Sequence, residues 1–535
     1  MAETISLNED QKRAVTFSGR NLLVSAGAGT GKTRVLVERF LYFVTEQRVP
    51  VDRILALTYT EKAANEMRSR IQKRLRELGR EEDLRGLESA YISTIHAFCA
   101  RLLKEHPVEA GVDPEFRVAE EETADFLIAQ SMAEVCESLC GTDREIFDLL
   151  RAFGQEKITH GILKVLTAAK REARTLEEYF AVYPAASPGK KTFEKVSSLL
   201  RELGAEDRIP DWEVFLKDED WDWKKITDYK NWQKGFSRNK KTPWPEVKEL
   251  VRELLELRLF PHVLRSRKVF ERLAIAFEAH YEKKKNEQGL LDFEDLQVRA
   301  LRMLERPDKA SRRLYGDLRK KFNQVLVDEF QDTDPLQLRL IETISSGTNL
   351  LLVGDYKQSI YRFRGAEPSL FLAQERRYRK QDAGERMTLA KNFRSRPEVL
   401  EFVNGLFGRL WGGAGTFYEP LEAVREGWGK TAVESIVIEA EEEEDESLDA
   451  GRMREAEAIA RRILALTEEG VDYGEIAVLF PAVSQLGIYE QAFRQHGIPY
   501  YAVSGRGFYH QPEIRDITSY LSFLEDPARD VAVAA

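Results

Sequence analysis

Asn21-Leu22-Leu23-Val24-Ser25-Ala26-Gly27-Ala28-Gly29-Thr30-Gly31-Lys32-Thr33 is the stretch whose reading decides the fold. Leu22 to Val24 reads as a buried strand and the small residues after it as a loop. Arg34 to Val44 then begins a helix with Leu36, Phe40 and Phe43 on one face. Strand, small-residue loop and helix form the context that a phosphate-binding loop requires. Backbone N–H groups of such a loop point at phosphate oxygens, and the helix N-terminus adds partial positive charge. Lys32 can reach the outer phosphates and the Thr33 hydroxyl can ligate Mg²⁺, so Ala26, Gly27, Ala28, Gly29, Thr30, Gly31, Lys32 and Thr33 are candidate nucleotide-binding residues. The usual pattern opens with Gly where Ala26 stands, and Ala is small enough for that place at negative φ.

At 535 residues, with 32% charged and 43% hydrophobic residues, the chain fits a soluble globular protein of several domains. It has no apolar run of about 18 residues, the length that would read as a membrane span. Met1 to Asp10 lacks the basic and apolar regions of a secretion signal. Three cysteines, Cys99, Cys136 and Cys140, suit a reducing cytoplasm without a disulfide framework. Cys136 and Cys140 are one helical turn apart but have no His or Cys partner nearby, which favours packing over metal binding. The net charge of −10 is neutral on nucleic-acid binding, which needs only a local basic groove.

Upstream of the loop, Gln11 has an amide able to pair with both edges of adenine, or it completes a helix cap begun by Asn8. Arg53 to Thr60 is a second buried strand, ending in Thr58, Tyr59 and Thr60, and Tyr91 to Phe98 carries another strand into Thr94 and His96. Polar groups at the carboxyl ends of parallel strands are where ligands sit. Residues 106–280 change character, being Glu-, Lys-, Arg- and Leu-rich and helical in pattern, and read as an inserted helical domain. Within it Trp212, Trp221, Trp223, Trp232 and Trp244 interleave with lysines, which suits either a single-strand contact or a loop anchored by tryptophans.

Gln324 to Asp332 is an apolar strand ending in adjacent carboxylates: Asp328 is placed for the Mg²⁺ shell and Glu329 for the attacking water. Asn349 to Gln358 is another strand with a polar end, leading into the aromatic–cationic loop Tyr361-Arg362-Phe363-Arg364. Leu389 to Arg396 precedes a helix with Pro397 in its first turn. Farther on, Glu439 to Glu446 reads as a solvated loop, Ile476 to Phe480 as a strand and Asp516 to Leu524 as a helix.

Gln11, Ala26 to Thr33, Thr58 to Met67, Thr94 to His96, Asp328 to Asp332, Gly354 to Ala366 and Asn392 to Ser395 together resemble the consecutive motifs of UvrD/Rep-type superfamily 1 DNA helicases. The helical insertion and the run Lys357 to Ala366 resemble most the helicase–nuclease subunits called AddA and RecB. The resemblance implies an α/β, RecA-like motor domain with a parallel sheet in residues 1–105 and 281–390, a helical insertion in 106–280, and the first part of a second RecA-like domain in 391–535. ATP and Mg²⁺ are the implied cofactors. By resemblance, Gln11 reads adenine, Lys32 and Thr33 hold phosphate and metal, and Asp328 and Glu329 serve as metal-side acid and water activator. Gln358 senses the γ-phosphate and Arg394 touches it, while Tyr59, Thr60, Thr94, His96, Tyr361, Phe363 and Arg364 contact single-stranded DNA. Relatives often carry Trp at the position of Phe363, with Gly before it where this chain has Arg362.

The resemblance implies a 3′–5′ ATP-dependent translocase acting on single-stranded and tailed duplex DNA in the cytoplasm. It also implies a partner chain similar to AddB, RecC or RecD. The family's later motifs, including an arginine finger, have no counterpart before Ala535, and a nuclease domain is expected beyond it. Two other readings stay open: a subunit of a helicase–nuclease for double-strand break processing, and a DNA-docking module without turnover.

Overall fold

The six strands β1 (Asn21–Ala26), β2 (Ile54–Thr58), β3 (Tyr91–Thr94), β4 (Gln324–Val327), β5 (Leu350–Gly354) and β6 (Gly384–Leu389) form one sheet in the order β3-β2-β4-β5-β1-β6. Every pairing is parallel. This is a computed structural model, and it describes residues 7–182, 244–362, 365–380, 384–412, 418–429, 432–438, 448–482, 484–503 and 512–525. The chain divides into two compact units, Met1–Gly427 and Trp428–Ala535.

The apolar runs of the sequence follow from burial on both faces of the sheet. Leu22 and Val24 enter one core with Ile54, Ala56 and Phe40, while Leu23 enters the other with Leu55, Leu57 and Val325. Leu36, Phe40 and Phe43 of the helix α2 (Lys32–Thr45) are buried, as the spacing predicts. Arg39 of the same helix is also buried: it donates to the carbonyls of Ala14 and Val15 and to Gln324 Oε1, tying α1 (Glu9–Thr16) to α2 and β4. The α/β, parallel-sheet reading holds. The sixth strand has no apolar run to announce it. It is an edge strand whose Arg386 pairs with Glu375, and only Gly384, Met387 and Leu389 of its residues are buried.

The described part of residues 106–280 is helical, with Glu121–Cys140, Arg144–Phe153, Gln155–Arg171 and the long Trp244–Glu287 packing around Leu127, Met132, Ile162, Leu273 and Phe277. Cys136 and Cys140 lie against this core, the packing role expected of them, and no metal-holding group of His, Cys, Asp or Glu occurs among the described residues. The stretch from Trp212 to residue 243, and the side chain of Trp244, fall outside what is described.

Where the insertion meets the motor domain, a buried ionic cluster replaces apolar packing. Lys170 Nζ lies 2.7 Å from Asp295 and 2.9 Å from Asp292, and Lys285 Nζ bonds Glu282 and Asp292 at 2.6 and 2.9 Å and also Asp295. Burial alone would discharge Lys170, but Asp295, Asp292 and Glu282 outweigh it and hold the ammonium well above its ordinary range.

In the second unit, helices Leu448–Glu468 and Leu486–Gln495 pack through Ala456, Ala460, Ile463, Tyr489 and Phe493. The strand expected at Ile476–Phe480 is not one. Ile476, Val478 and Phe480 alternate onto this core while Leu479 is exposed, but no ladder partner pairs with the segment among the described residues. Pro512–Glu525 is helical, which contains the expected Asp516–Leu524 helix, and Glu439–Glu446 lies outside the described residues. No helix among the described residues is long and apolar enough to cross a membrane.

Candidate nucleotide and nucleic-acid site

Parallel strands bring their carboxyl ends to one edge of the sheet, so β1, β4 and β5 deliver their polar termini side by side. The loop after β1 depends on two glycines in the left-handed region, Gly29 at φ +74° and Gly31 at φ +89°. Both also leave room for neighbours. A Cβ on Gly29 would meet Arg394 Cβ at 2.6 Å, and one on Gly31 would meet Gln11 Nε2 at 2.9 Å. Gly31 caps α2 without any side-chain acceptor, and no acid occupies the first turn, so the helix N-terminus keeps its N–H groups for an anion.

Lys32 Nζ donates to Glu329 Oε2 at 2.9 Å and to Gln358 Oε1 at 3.4 Å, which unites three of the four candidate catalytic residues. The fourth, Arg394, is exposed beside the loop. Asn392 holds it there: its Nδ2 donates to the Ala28 carbonyl at 2.6 Å, its Oδ1 accepts from the Arg394 backbone N–H at 2.9 Å, and Phe393 N–H donates to the Gly29 carbonyl. Gln11 is buried against the loop, its Nε2 donating to the Thr30 carbonyl at 2.9 Å. Its Oε1 and the Asn8 side chain complete the capping box, so the capping reading is realised at the same position.

Glu329 sits at φ +48°, a left-handed conformation costly for a residue with Cβ and characteristic of functional sites. Gln331 braces it, donating to Glu329 Oε2 at 2.8 Å while its Oε1 accepts from Asp355 N–H at 2.9 Å. Gln358 in turn donates to Asp355 Oδ2 at 2.9 Å. Gln331 and Asp355 therefore carry the geometry of the catalytic group, roles that the sequence hides because both look like ordinary loop polars. Asp328 is buried, and desolvation together with the Glu329 charge pushes its carboxyl up to about 7. A buried carboxylate short of positive charge, beside the loop and helix that carry Lys32 and Thr33, suits a divalent cation.

Tyr59 and Tyr361 stack at 4.9 Å with an interplanar angle of 27°. Phe363 and Arg364 lie outside the described residues. Thr60 and Thr94 each cap a helix, accepting from Ala63 and Ala97 N–H at 3.2 Å. His96 is engaged by Gln297, and burial lowers its pKa, so it is a neutral ring at pH 7 rather than a phosphate-binding cation. Phe293 packs edge-on against it at 5.6 Å, an aromatic that its position in a helical first turn does not single out in the sequence.

Comparison with known proteins agrees with this arrangement. Residues 7–379 match the UvrD/REP helicase N-terminal domain and residues 387–534 the UvrD-like helicase C-terminal domain. The chain is 29% identical to the AddA-type ATP-dependent helicase/nuclease subunit of Exiguobacterium sibiricum, over 99% of its own length and 52% of that protein's. The proteins of the same name from Alkaliphilus oremlandii and Bacillus velezensis are 29% and 28% identical, each over 98% of this chain and 51% of the relative. The chain thus spans about half the length of these relatives. With a RecA-like phosphate-binding sheet and a family match over most of its residues, the chain belongs to the UvrD/REP helicase family.

Proposed function

We propose that this chain is the motor portion of an ATP-dependent DNA translocase that moves 3′ to 5′ on single-stranded DNA and separates strands. The convergence of Lys32, Glu329 and Gln358 at the end of the sheet, with the Tyr361 loop continuing directly from Gln358, carries this reading. The loop Ala26–Thr33 and the open N-terminus of α2 receive the triphosphate, and Gln11 borders the loop on the side assigned to adenine. Lys32 exchanges its carboxylate partner for phosphate oxygens, which releases Glu329 to orient and deprotonate water. Thr33 and Asp328 would hold Mg²⁺, which when bound supplies positive charge to the phosphates. Arg394 contacts the γ-phosphate from the chain after β6.

Gln358 links the two tasks. Loss of the γ-phosphate alters its bonding to Lys32 and shifts the Tyr361 loop, whose stack with Tyr59 grips and releases bases. Residues 1–105 and 281–390 form the first motor domain in this reading, 106–280 the helical insertion, and 391–535 part of the second motor domain. The relatives are named as one subunit of a helicase/nuclease, which supports a second, AddB-like chain as partner and a role in break processing in the cytoplasm. The test is ATP hydrolysis by the 535-residue chain with and without oligo(dT), beside Lys32→Ala. DNA-stimulated turnover lost in the variant is expected, and equal turnover by the variant overturns the reading.

A further inference from the structure

Beneath Tyr59 the carboxyl ends of β2 and β4 and the helices Ile95–Glu105, Phe293–Glu305 and Pro335–Ile344 enclose a cavity of about 490 Å³, within the size range of small-molecule sites. Its lining carries five carboxylates, those of Glu294, Asp328, Glu329, Asp332 and Asp334, against one guanidinium, Arg171, with His96 neutral. Such a lining repels phosphate but admits a neutral ring.

Two buried polar side chains in the lining each keep an oxygen without a hydrogen-bond partner among the described residues. Gln297 is 3% exposed; His96 Nε2 engages one end of its amide and leaves the other unpaired. Asp332 is 6% exposed and its Oδ1 accepts no hydrogen bond. An unpaired buried acceptor is costly in the empty site and is satisfied only when a donor arrives. Phe293, one helical turn before Gln297 and on the same face, is 56% exposed, an unusual position for a Phe and one suited to stacking on a ring.

We propose that this cavity receives a nucleobase carrying an exocyclic amine, stacked on Phe293 beside Tyr59, its amine edge bonded by Asp332 and Gln297. The proposal deepens the single-strand reading above and rests on it. It gives the site a preference for cytosine over thymine, because thymine presents a carbonyl where cytosine presents an amine, and a carbonyl facing a carboxylate leaves both unpaired.

The test compares binding of oligo(dC) and oligo(dT) of equal length by fluorescence anisotropy, using the full chain without nucleotide. Wild type should favour oligo(dC) by about tenfold, the value of one charge-assisted hydrogen bond. Gln297→Leu and Asp332→Asn should each bring the ratio towards one. Phe293→Ala, at an exposed position that folding tolerates, should weaken both oligonucleotides alike. Millimolar deoxycytidine distinguishes the source of the base: an unchanged ratio assigns the pocket to strand-borne bases, and a collapsed ratio extends it to free nucleosides, each in support of the pocket. Equal wild-type affinities, or a ratio that persists in both edge variants, overturns this inference alone. Failure to bind either oligonucleotide overturns the single-strand reading and this one with it.

Discussion

Lys32 Nζ and Glu329 Oε2 meet at 2.9 Å across 297 residues of chain, so the phosphate-binding lysine is held by the carboxylate assigned to activate water. Without nucleotide, each masks the other. Lys32→Ala should therefore remove phosphate contacts and free Glu329, while Glu329→Gln should keep the triphosphate bound and abolish its cleavage. Turnover in each should fall by about 10²–10³-fold, the loss typical of a group aimed at developing charge. Phosphate release, read beside binding of a fluorescent ATP analogue, separates them: weakened binding is expected in the first variant only.

Asp328 yields a pH prediction of definite sign. Its folded pKa of about 7 lies above the ordinary aspartate value of 3.8, so the folded state holds this proton more tightly than the unfolded chain. Through this group, stability without metal is greatest below about pH 4 and is lost as pH rises towards 7. Asp328→Asn should raise the melting temperature at pH 8 without Mg²⁺, by about 2–4 °C for each kcal/mol relieved, while removing ATP hydrolysis. Thermal scans at pH 5 and pH 8 check it, since the gain should shrink at the lower pH.

The Tyr59–Tyr361 stack is open to direct attack. Tyr361→Ala should weaken binding of a single-stranded oligonucleotide by about 1–3 kcal/mol, the worth of one base-stacking ring. Because a ring and not a cation is lost, the dependence of affinity on salt should keep its slope. A flattened slope in an anisotropy titration at several salt concentrations would count against the stacking role.

The ionic joint of Lys170, Lys285, Asp292 and Asp295 should behave as a buried network. Lys285→Met strands carboxylates inside the protein and should cost about 3–5 kcal/mol in a denaturant titration. The exposed pair of Arg313 and Asp317, 3.7 Å apart, offers the control: Arg313→Ala should leave the midpoint unchanged.

The sequence by itself determined the parallel sheet, the phosphate loop and the order of the motifs, because these are local in character. Strands buried on both faces must be apolar throughout, and a loop that cradles phosphate must be made of small residues, so Leu22–Gly31 and Val325–Glu329 announce themselves. The capping role of Gln11 was equally legible, since Asn8 and Gln11 stand at the spacing of a capping box. Tertiary structure alone decided the rest. Strand β6 is an edge strand whose polar residues mimic a loop, and the Ile476–Phe480 segment alternates like a strand but finds no partner among the described residues. No local pattern tells that Gln331 and Asp355 brace Glu329, that Lys170 and Lys285 share Asp292 and Asp295, or that Phe293 stands at the mouth of a cavity beside His96. Those relationships join residues far apart in the chain. The sheet order brings them together, and burial then turns ordinary polar side chains into paired, strained or unsatisfied ones.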